Sequence, residues 1–330
     1  MNEKFREYLT NIPYAGEDSY KELSQLVDEK LKLKNLTNAE HERLCYELNI
    51  IKETDASKLF LFIVNALKGF SPEEYCFLLK ENNCFINYFL DFTSVNPVKY
   101  GLQFELFFNP ERSCPKFCFY IKKGRKEQLL KNICGSYKVG QLIKGNDSGC
   151  RYFIDIANNE KIDCNLTTYI ETTAETSAEE LAKRGLFEFD VIEYENNTII
   201  DKDFSDEEIY IEAIRTVAYR SALVSMSPLR NIDEIKEILS STDNRLLFQE
   251  QVIEILNRVC GFNPIMSDCV RKAICTKKQN FNKKFTTILQ NKYGTGGDDF
   301  AHYLVEVGKY TVSKGYVVAR MKNNIVWERK

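Results

Sequence analysis

Four short signatures restrict where helices can begin in this chain. Thr37 with Glu40, Ser71 with Glu74, Ser177 with Glu180 and Ser205 with Glu208 each place a hydroxyl three residues ahead of an acid. In such a capping box the hydroxyl accepts from the third backbone N–H, and the acid reaches back to the N–H of the cap. Helices are therefore expected from Asn38, Pro72, Ala178 and Asp206, and Pro72 suits a first helical position. Another is expected from Ile232 after Asn231, and a long one near 245–259 that stops at Gly261. Strands are expected in "PKFCFYI" (115–121), "CRYFIDI" (150–156) and "LFEFDVI" (186–192), which are short, aromatic or β-branched, and bounded by charged or turn residues. The pair Asn158-Asn159 is expected to turn the second strand back into "KIDCNLTTYI". The pattern is a mixed α/β body followed, from about 206, by a helical region.

Composition narrows the class. With 330 residues, 44% hydrophobic and 28% charged, the chain can bury a large core, which excludes collagen-like, disordered and disulfide-scaffold proteins. The longest apolar stretch, Leu59 to Val64, is far below the ~20 residues that span a bilayer, and "MNEKFREYLTNI" has charges where a signal peptide needs an apolar run. A soluble, cytoplasmic protein with no membrane partner is expected. Eleven cysteines form no C-x-x-C, and His41 and His302 are the only histidines, so the cysteines read as small buried hydrophobes and no metal is assigned to them. The net charge of −3 conceals an asymmetry. Residues 257–330 carry 14 basic against 5 acidic side chains, and residues 160–208 carry 15 acidic against 4 basic. A polyanion would be engaged by the C-terminal part.

From "NPVKYGLQFELFFNPERSCPKF" (96–117) the sequence resembles the palm of the bacterial DNA polymerase III alpha subunit, the C-family replicative polymerases. There an Asp-Pro-Leu-Lys-Tyr element leads to a Phe-Glu-Arg-Phe-Leu-Asn-Pro-Glu-Arg run just before the catalytic strand. Collinear likenesses continue on both sides. "ERLCYELNIIKE" (42–53) and "LFLFIV" (59–64) resemble the opening palm helices, and "GLFEFDVIEYENNTII" (185–200) the strand bearing the third catalytic aspartate. "LFQEQVIEILNRVCGF" (247–262) and "SDCVRKAICTKK" (267–278) resemble the fingers. The resemblance implies an α+β fold: a nucleotidyltransferase-type palm with a mixed sheet and helices over 1–200, then a mostly helical fingers-like domain over 201–330.

The departures from the family's pattern fall on its chemistry. The family holds two magnesium ions with three aspartates, two of which alternate on one strand so that both face the metals. Here Cys118 and Tyr120 stand at those two positions, Lys116 at the preceding one, and only Asp190 of the triad remains. Thiol and phenol are neutral near pH 7 on ordinary pKa values of about 8.5 and about 10, and magnesium favours hard oxygen ligands. Asp91 and Asp155 are the candidates for a repaired metal site. The stretch before residue 86, where the family has a Gly/Ser-rich loop cradling the triphosphate, reads "LLKENNCF" (78–85) without glycine. Ser225-Met226-Ser227-Pro228 stands for an Arg-Pro-Gly-Pro element, without its arginine. Too few residues separate the strand from "GCRYFI" for the family's thumb, and its N-terminal phosphoesterase-like domain has no counterpart.

What the resemblance retains is basic. Arg271, Lys272, Lys277 and Lys278 match an Arg-Arg-Ala-Met-Gly-Lys-Lys-Lys pattern that faces nucleotide and template phosphates in the family, and Lys283 and Lys284 extend it. "YGTGGDDF" (293–300) is expected to be a loop, because Asp298 and Asp299 would repel an anion there, and the stripe Phe85, Tyr88, Phe89, Phe92 is expected to be core. The expected function is that of a pseudoenzyme in DNA replication, binding DNA or nucleotide, with a replication protein as a further partner. The alternatives are a protein-interaction scaffold that ignores DNA, and residual nucleotidyl transfer around Asp190. No cofactor is expected, with Mg2+ needed only under the last alternative.

Overall fold

The architecture follows from a sheet whose two faces pack against different sets of helices. A computed structural model of the chain describes all residues except 2, 13, 15, 113–114, 137–140, 145–150, 156–185, 218–224, 276–278 and 327–330. The first half runs α1 (Glu3–Thr10), α2 (Ser19–Leu31), α3 (Asn38–Glu53), α4 (Ser57–Ala66), β1 (Tyr75–Cys76), α5 (Phe85–Phe89), β2 (Phe117–Lys122), α6 (Lys126–Ser136), β3 (Gln141–Lys144), β4 (Arg151–Asp155) and β5 (Phe187–Tyr194). A two-residue strand β6 (Asn196–Asn197) follows, then α7 (Asp206–Val217), α8 (Asp233–Leu239), α9 (Gln249–Glu254), α10 (Pro264–Cys275), α11 (Gln279–Tyr293), α12 (Thr295–Gly308), α13 (Lys314–Lys322) and β7 (Ile325–Val326). The fold is α+β, with a mixed sheet in the first part and a mostly helical second part.

Five strands form the main sheet in the order β1-β2-β5-β4-β3. β2 and β5 run parallel, with Cys118 opposite Asp190, and the remaining pairs are antiparallel. Side chains alternate across a strand, so each strand serves two cores. Phe117, Phe119 and Ile121 of β2 join Phe187, Phe189 and Val191 of β5 in a core with α1–α4, whereas Cys118, Tyr120 and Tyr194 join one built largely from α7–α13. Phe62 of α4 centres the first core, with ring centroids 4.7 Å from Phe187, 5.7 Å from Phe189 and 6.2 Å from Phe119. Of the stripe, Phe85, Phe89 and Phe92 are buried in this core and Tyr88 is half-buried against it.

The expected strands appear within two residues of their predicted bounds. The α3 capping box is formed as anticipated, and Ser205 and Glu208 exchange both bonds at the head of α7. The helix predicted from Ile232 begins one residue later, with Ile232 as its cap. The long 245–259 helix starts at Gln249 and continues through a π-helical turn, Ile255–Val259, before Gly261 turns the chain at φ +73°. Two expectations are corrected. Glu74 does accept from the N–H of Ser71, at 2.9 Å, but no helix starts at Pro72, because Tyr75 and Cys76 pair with Ile121 and Tyr120 at the sheet edge. The "YGTGGDDF" segment is the first turn of α12, entered from Gly294 at φ +60°. There Gly297 lets α12 lie against α11, since a Cβ would sit 2.0 Å from the Leu289 carbonyl oxygen. The helix expected from Ala178 and the turn at Asn158-Asn159 lie outside the described residues.

Candidate functional site

The register of β2, β5 and β4 brings Asp190, the aspartate the resemblance singles out, onto one face with Cys118 and Tyr120. Cys118 pairs with Asp190, and Asp190 pairs on its other side with Arg151 of β4. Both Cys118 and Tyr120 are buried, and the Tyr120 hydroxyl hydrogen-bonds the thiol of Cys118. Burial foremost, then Cys118 and Glu81, push the Tyr120 phenol far above its ordinary value, so it stays neutral. The carboxylates of the face are held by side-chain cations. Arg151 Nε lies 3.2 Å from Asp190 Oδ1 and 3.9 Å from Glu188 Oε2, and Lys116 pairs with Glu188.

A divalent metal does not fit this donor set. The face offers a buried thiol and a neutral phenol, and its Asp190 carboxylate already faces a guanidinium where a dication would have to bind. Among the described residues, no cluster of three or more His, Cys, Asp and Glu is placed to hold a metal ion. Asp91 sits in ion pairs with Lys30 and Lys34. Asp155 lies opposite Gln141 on β4, four residues along from Arg151.

The segment after β1 closes the site from above with side chains the sequence reading missed. Lys80–Asn83 form a single 3₁₀ turn, and Glu81 Oε1 accepts from the backbone N–H of Cys118 at 2.8 Å. Glu81 is fully buried and its other carboxylate oxygen has no hydrogen bond, so burial raises its pKa from 4.5 to about 7 against the backbone bonds that lower it. The next N–H groups, of Phe85 and Ile86, donate to Glu47 at 2.8 and 3.0 Å, and Arg43 holds the same carboxylate at 2.6 Å. An internal anion thus occupies donors at the start of α5. The only sequence hint was the run of polar residues Lys80–Asn83 between apolar segments, whose burial is a tertiary outcome.

The Asn109-Pro110-Glu111-Arg112 element is a clamp between the sheet and α10. Asn109 Nδ2 donates to the Ile265 carbonyl at 2.9 Å and to Asp268 at 3.1 Å, and Arg112 Nη1 pairs with Asp268 at 3.0 Å. Arg271 completes the cluster, its Nε 2.9 Å from Asp268 Oδ1. The expectation that Arg271 faces phosphates meets a different placement: its side chain is buried in this ion pair and turned inward. Lys272 and Lys284 are exposed. Lys283 falls on α11, and Lys277 and Lys278 lie outside the described residues. The cations predicted to act together are therefore divided between interior and surface.

Between the clamp, the turn and α13 lies an open cavity of about 630 Å³, lined by Lys80, Arg112, Lys116, Tyr120, Ser313 and Tyr316 among others. The first turn of α13 reaches it by close approach, since a Cβ on Gly315 would stand 2.9 Å from Asn83 Oδ1. Burial, followed by Arg112 and Arg271, lowers the Lys80 ammonium from 10.5 to about 7.

Comparison with known proteins places these parts. Residues 20–147 match the bacterial DNA polymerase III alpha NTPase domain and residues 213–294 the bacterial DNA polymerase III alpha subunit finger domain. DNA polymerase III subunit alpha of Borreliella burgdorferi is 31% identical over 144 residues, covering 42% of this chain and 13% of the relative. The Rickettsia prowazekii protein of the same name is 29% identical over 158 residues, 46% of this chain and 13% of the relative. The relatives are matched over a small part of their length, and the two matched regions contain β1, β2, β3, the clamp at 109–112 and α10. The chain belongs to the bacterial DNA polymerase III alpha family, of which it carries palm-like and finger regions.

Proposed function

We propose that this chain is a non-polymerising member of the family that works in DNA replication by binding nucleic-acid phosphates through its finger region. The observation that carries the reading is the state of this face: Cys118 and Tyr120 are buried, the Tyr120 phenol is held neutral, and Asp190 is ion-paired with Arg151 at 3.2 Å. Two-metal phosphoryl transfer needs carboxylates free to bridge dications, and this face offers a guanidinium instead. Support for nucleic-acid binding comes from the excess of cations after residue 257 and the exposure of Lys272 and Lys284. Such side chains bind phosphate without reading sequence.

The test is an anisotropy titration of labelled primer–template DNA at low and physiological salt, run beside a primer-extension assay with Mg2+ or Mn2+. Expected are no extension and binding that weakens steeply with salt. Lys272→Ala with Lys284→Ala should flatten the log K against log salt slope by about 0.9 per lost contact. Flat traces at both salts retire the DNA reading.

A second reading, a scaffold for a protein partner, is favoured by one observation. Many C-terminal cations are neutralised within the chain: Lys314 by Asp206, Lys322 by Asp203, Lys292 by Glu234 and Arg258 by Glu237. Extension activity that is lost on Asp190→Asn would overturn both readings in favour of residual nucleotidyl transfer.

A further inference from the structure

At one end of the main sheet the outermost strand, β1, borders a second cavity. Glu74 accepts from the N–H of Lys122 at 2.9 Å, and Cys76 stands opposite Tyr120. Bonded pairs alternate along an antiparallel ladder, so Glu74 and Cys76 face β2 while Tyr75 turns its N–H and C=O outward. Neither group has a hydrogen-bond partner among the described residues, although Tyr75 is nine-tenths buried. The next outward carbonyl, of Phe77, is taken by Asn82 Nδ2 at 3.0 Å. Buried backbone groups are nearly always paired, which sets the Tyr75 groups apart.

The cavity, of about 500 Å³, is lined by Tyr75 and Phe77 of this edge, by the rings of Tyr88 and Phe92, and by Asp201 of the segment after β6. Sites for small ligands and short segments span about 300–1,000 Å³. Most charges around it are already matched. Asp203 pairs with Lys99 and Lys322, Asp91 pairs with Lys30 and Lys34, and Glu40 accepts from the amide of Asn96. Asp201 is the wall charge that forms no ion pair among the described residues. Glu73, next to the lining Pro72, is a further exposed acid without one.

We propose that this edge receives an extended segment of a partner protein that carries an arginine or a lysine. The segment's backbone accepts from the Tyr75 N–H and donates to the Tyr75 C=O, adding one bridge to the sheet edge. Its basic side chain lies along the aromatic wall and ends on Asp201, where a cation is held by both ring faces and carboxylate. An acidic side chain there would meet Asp201 as a like charge, and an apolar one would leave it unmatched. The contact is independent of the DNA reading, since neither Lys272 nor Lys284 lines this cavity.

The probes are labelled, amidated pentapeptides of alternating threonine and valine with Arg, Lys, Gln, Leu or Glu at the centre, titrated against the full chain by fluorescence anisotropy. Saturable binding is expected for the Arg and Lys peptides. Methylating the peptide's backbone nitrogens one at a time should weaken the Arg peptide about fivefold at one position, the scale of one lost hydrogen bond. Asp201→Asn should weaken the Arg peptide about threefold at low salt and less at high salt, because the carboxylate is exposed, and should leave the Gln peptide unchanged. Hydrogen exchange on the peptic fragment that holds Tyr75 should slow when the Arg peptide is bound, which attraction to surface acids alone would not produce. The proposal is overturned if no peptide binds saturably, if the Glu peptide binds as well as the Arg peptide, or if no N-methylation matters. It is equally overturned if arginine amide alone binds as tightly as the pentapeptide. Self-association in sedimentation velocity that protects the same fragment would give the edge to a second copy of the chain instead.

Discussion

The two faces of the central sheet share the same strands and have opposite chemistry. Facing α1–α4, β2 and β5 present Phe117, Phe119, Phe187 and Phe189, which meet Phe62 in a continuous aromatic core. Facing the finger region, the alternate positions present Lys116, Cys118, Tyr120, Glu188 and Asp190, tied by ion pairs and one buried carboxyl. The aromatic face derives its stability from area removed from water and is tolerant of chemistry. The polar face depends on every charge finding a partner, so a substitution there alters its neighbours' ionisation as well as its own contacts. This contrast explains how the polar positions of a strand can vary while the sheet stays intact: the residues that hold the sheet point the other way.

Four measurements bear on that contrast. The largest effect is expected at the clamp. Asp268→Ala removes the carboxylate shared by Arg112 and Arg271, leaves two largely buried guanidiniums uncompensated, and should cost about 5 kcal/mol in urea unfolding. Phe62→Ala should cost about 4 kcal/mol from the aromatic side, with the polar face unaffected as judged by an unchanged Lys80 titration. A smaller loss at Asp268 than at Phe62 would reverse the ranking of the two faces.

Glu81 contributes a pH dependence. Its folded pKa of about 7 lies above the ordinary 4.5, so the stability linked to its protonated form is complete below about 4.5 and is lost as pH rises through 7. Glu81→Gln should remove that slope between pH 4.5 and 7, worth on the order of 3 kcal/mol at full extent by the usual 1.36 kcal/mol per unit. Denaturation midpoints of the variant that still fall across this range would place the titration elsewhere. The smallest effect is expected at Arg151→Ala. Its partner Asp190 is about one-third exposed, so the pair is screened and the loss should stay below about 1 kcal/mol. Thermal melts with and without Mg2+ would then show whether freeing Asp190 alone creates metal affinity; no shift is expected, because Cys118 and Tyr120 remain.

Identical local signatures show how far sequence reading extends. Thr37-Glu40 and Ser71-Glu74 are the same capping box, and in both the acid accepts from the cap N–H. Only the first heads a helix. After Ser71 the chain is claimed by pairing of Tyr75 and Cys76 with β2, a contact with residues some 45 positions away. Similarly, "YGTGGDDF" has the composition of a loop, yet the close packing of α12 on α11 at Gly297 makes it helical. In the site, strand alternation made it legible that Cys118 shares a face with Tyr120, and Glu188 with Asp190. The guanidinium on Asp190, the buried Glu81 behind Cys118 and the inward turn of Arg271 were not, because each depends on a register or a helix packing that brings distant segments together.

The amino-acid order alone determined the helix starts at Asn38 and Asp206, the placement of three strands and the family likeness. These rest on hydrogen bonds and side-chain alternation that act over a few residues. The tertiary structure decided which charges are neutralised, which are buried, and that Lys80 beside a cavity forms no ion pair among the described residues. Burial and ion pairing are set by segments far apart in the chain. A lysine or arginine therefore reads the same in sequence whether it ends up as a clamp, like Arg271, or on the surface, like Lys284.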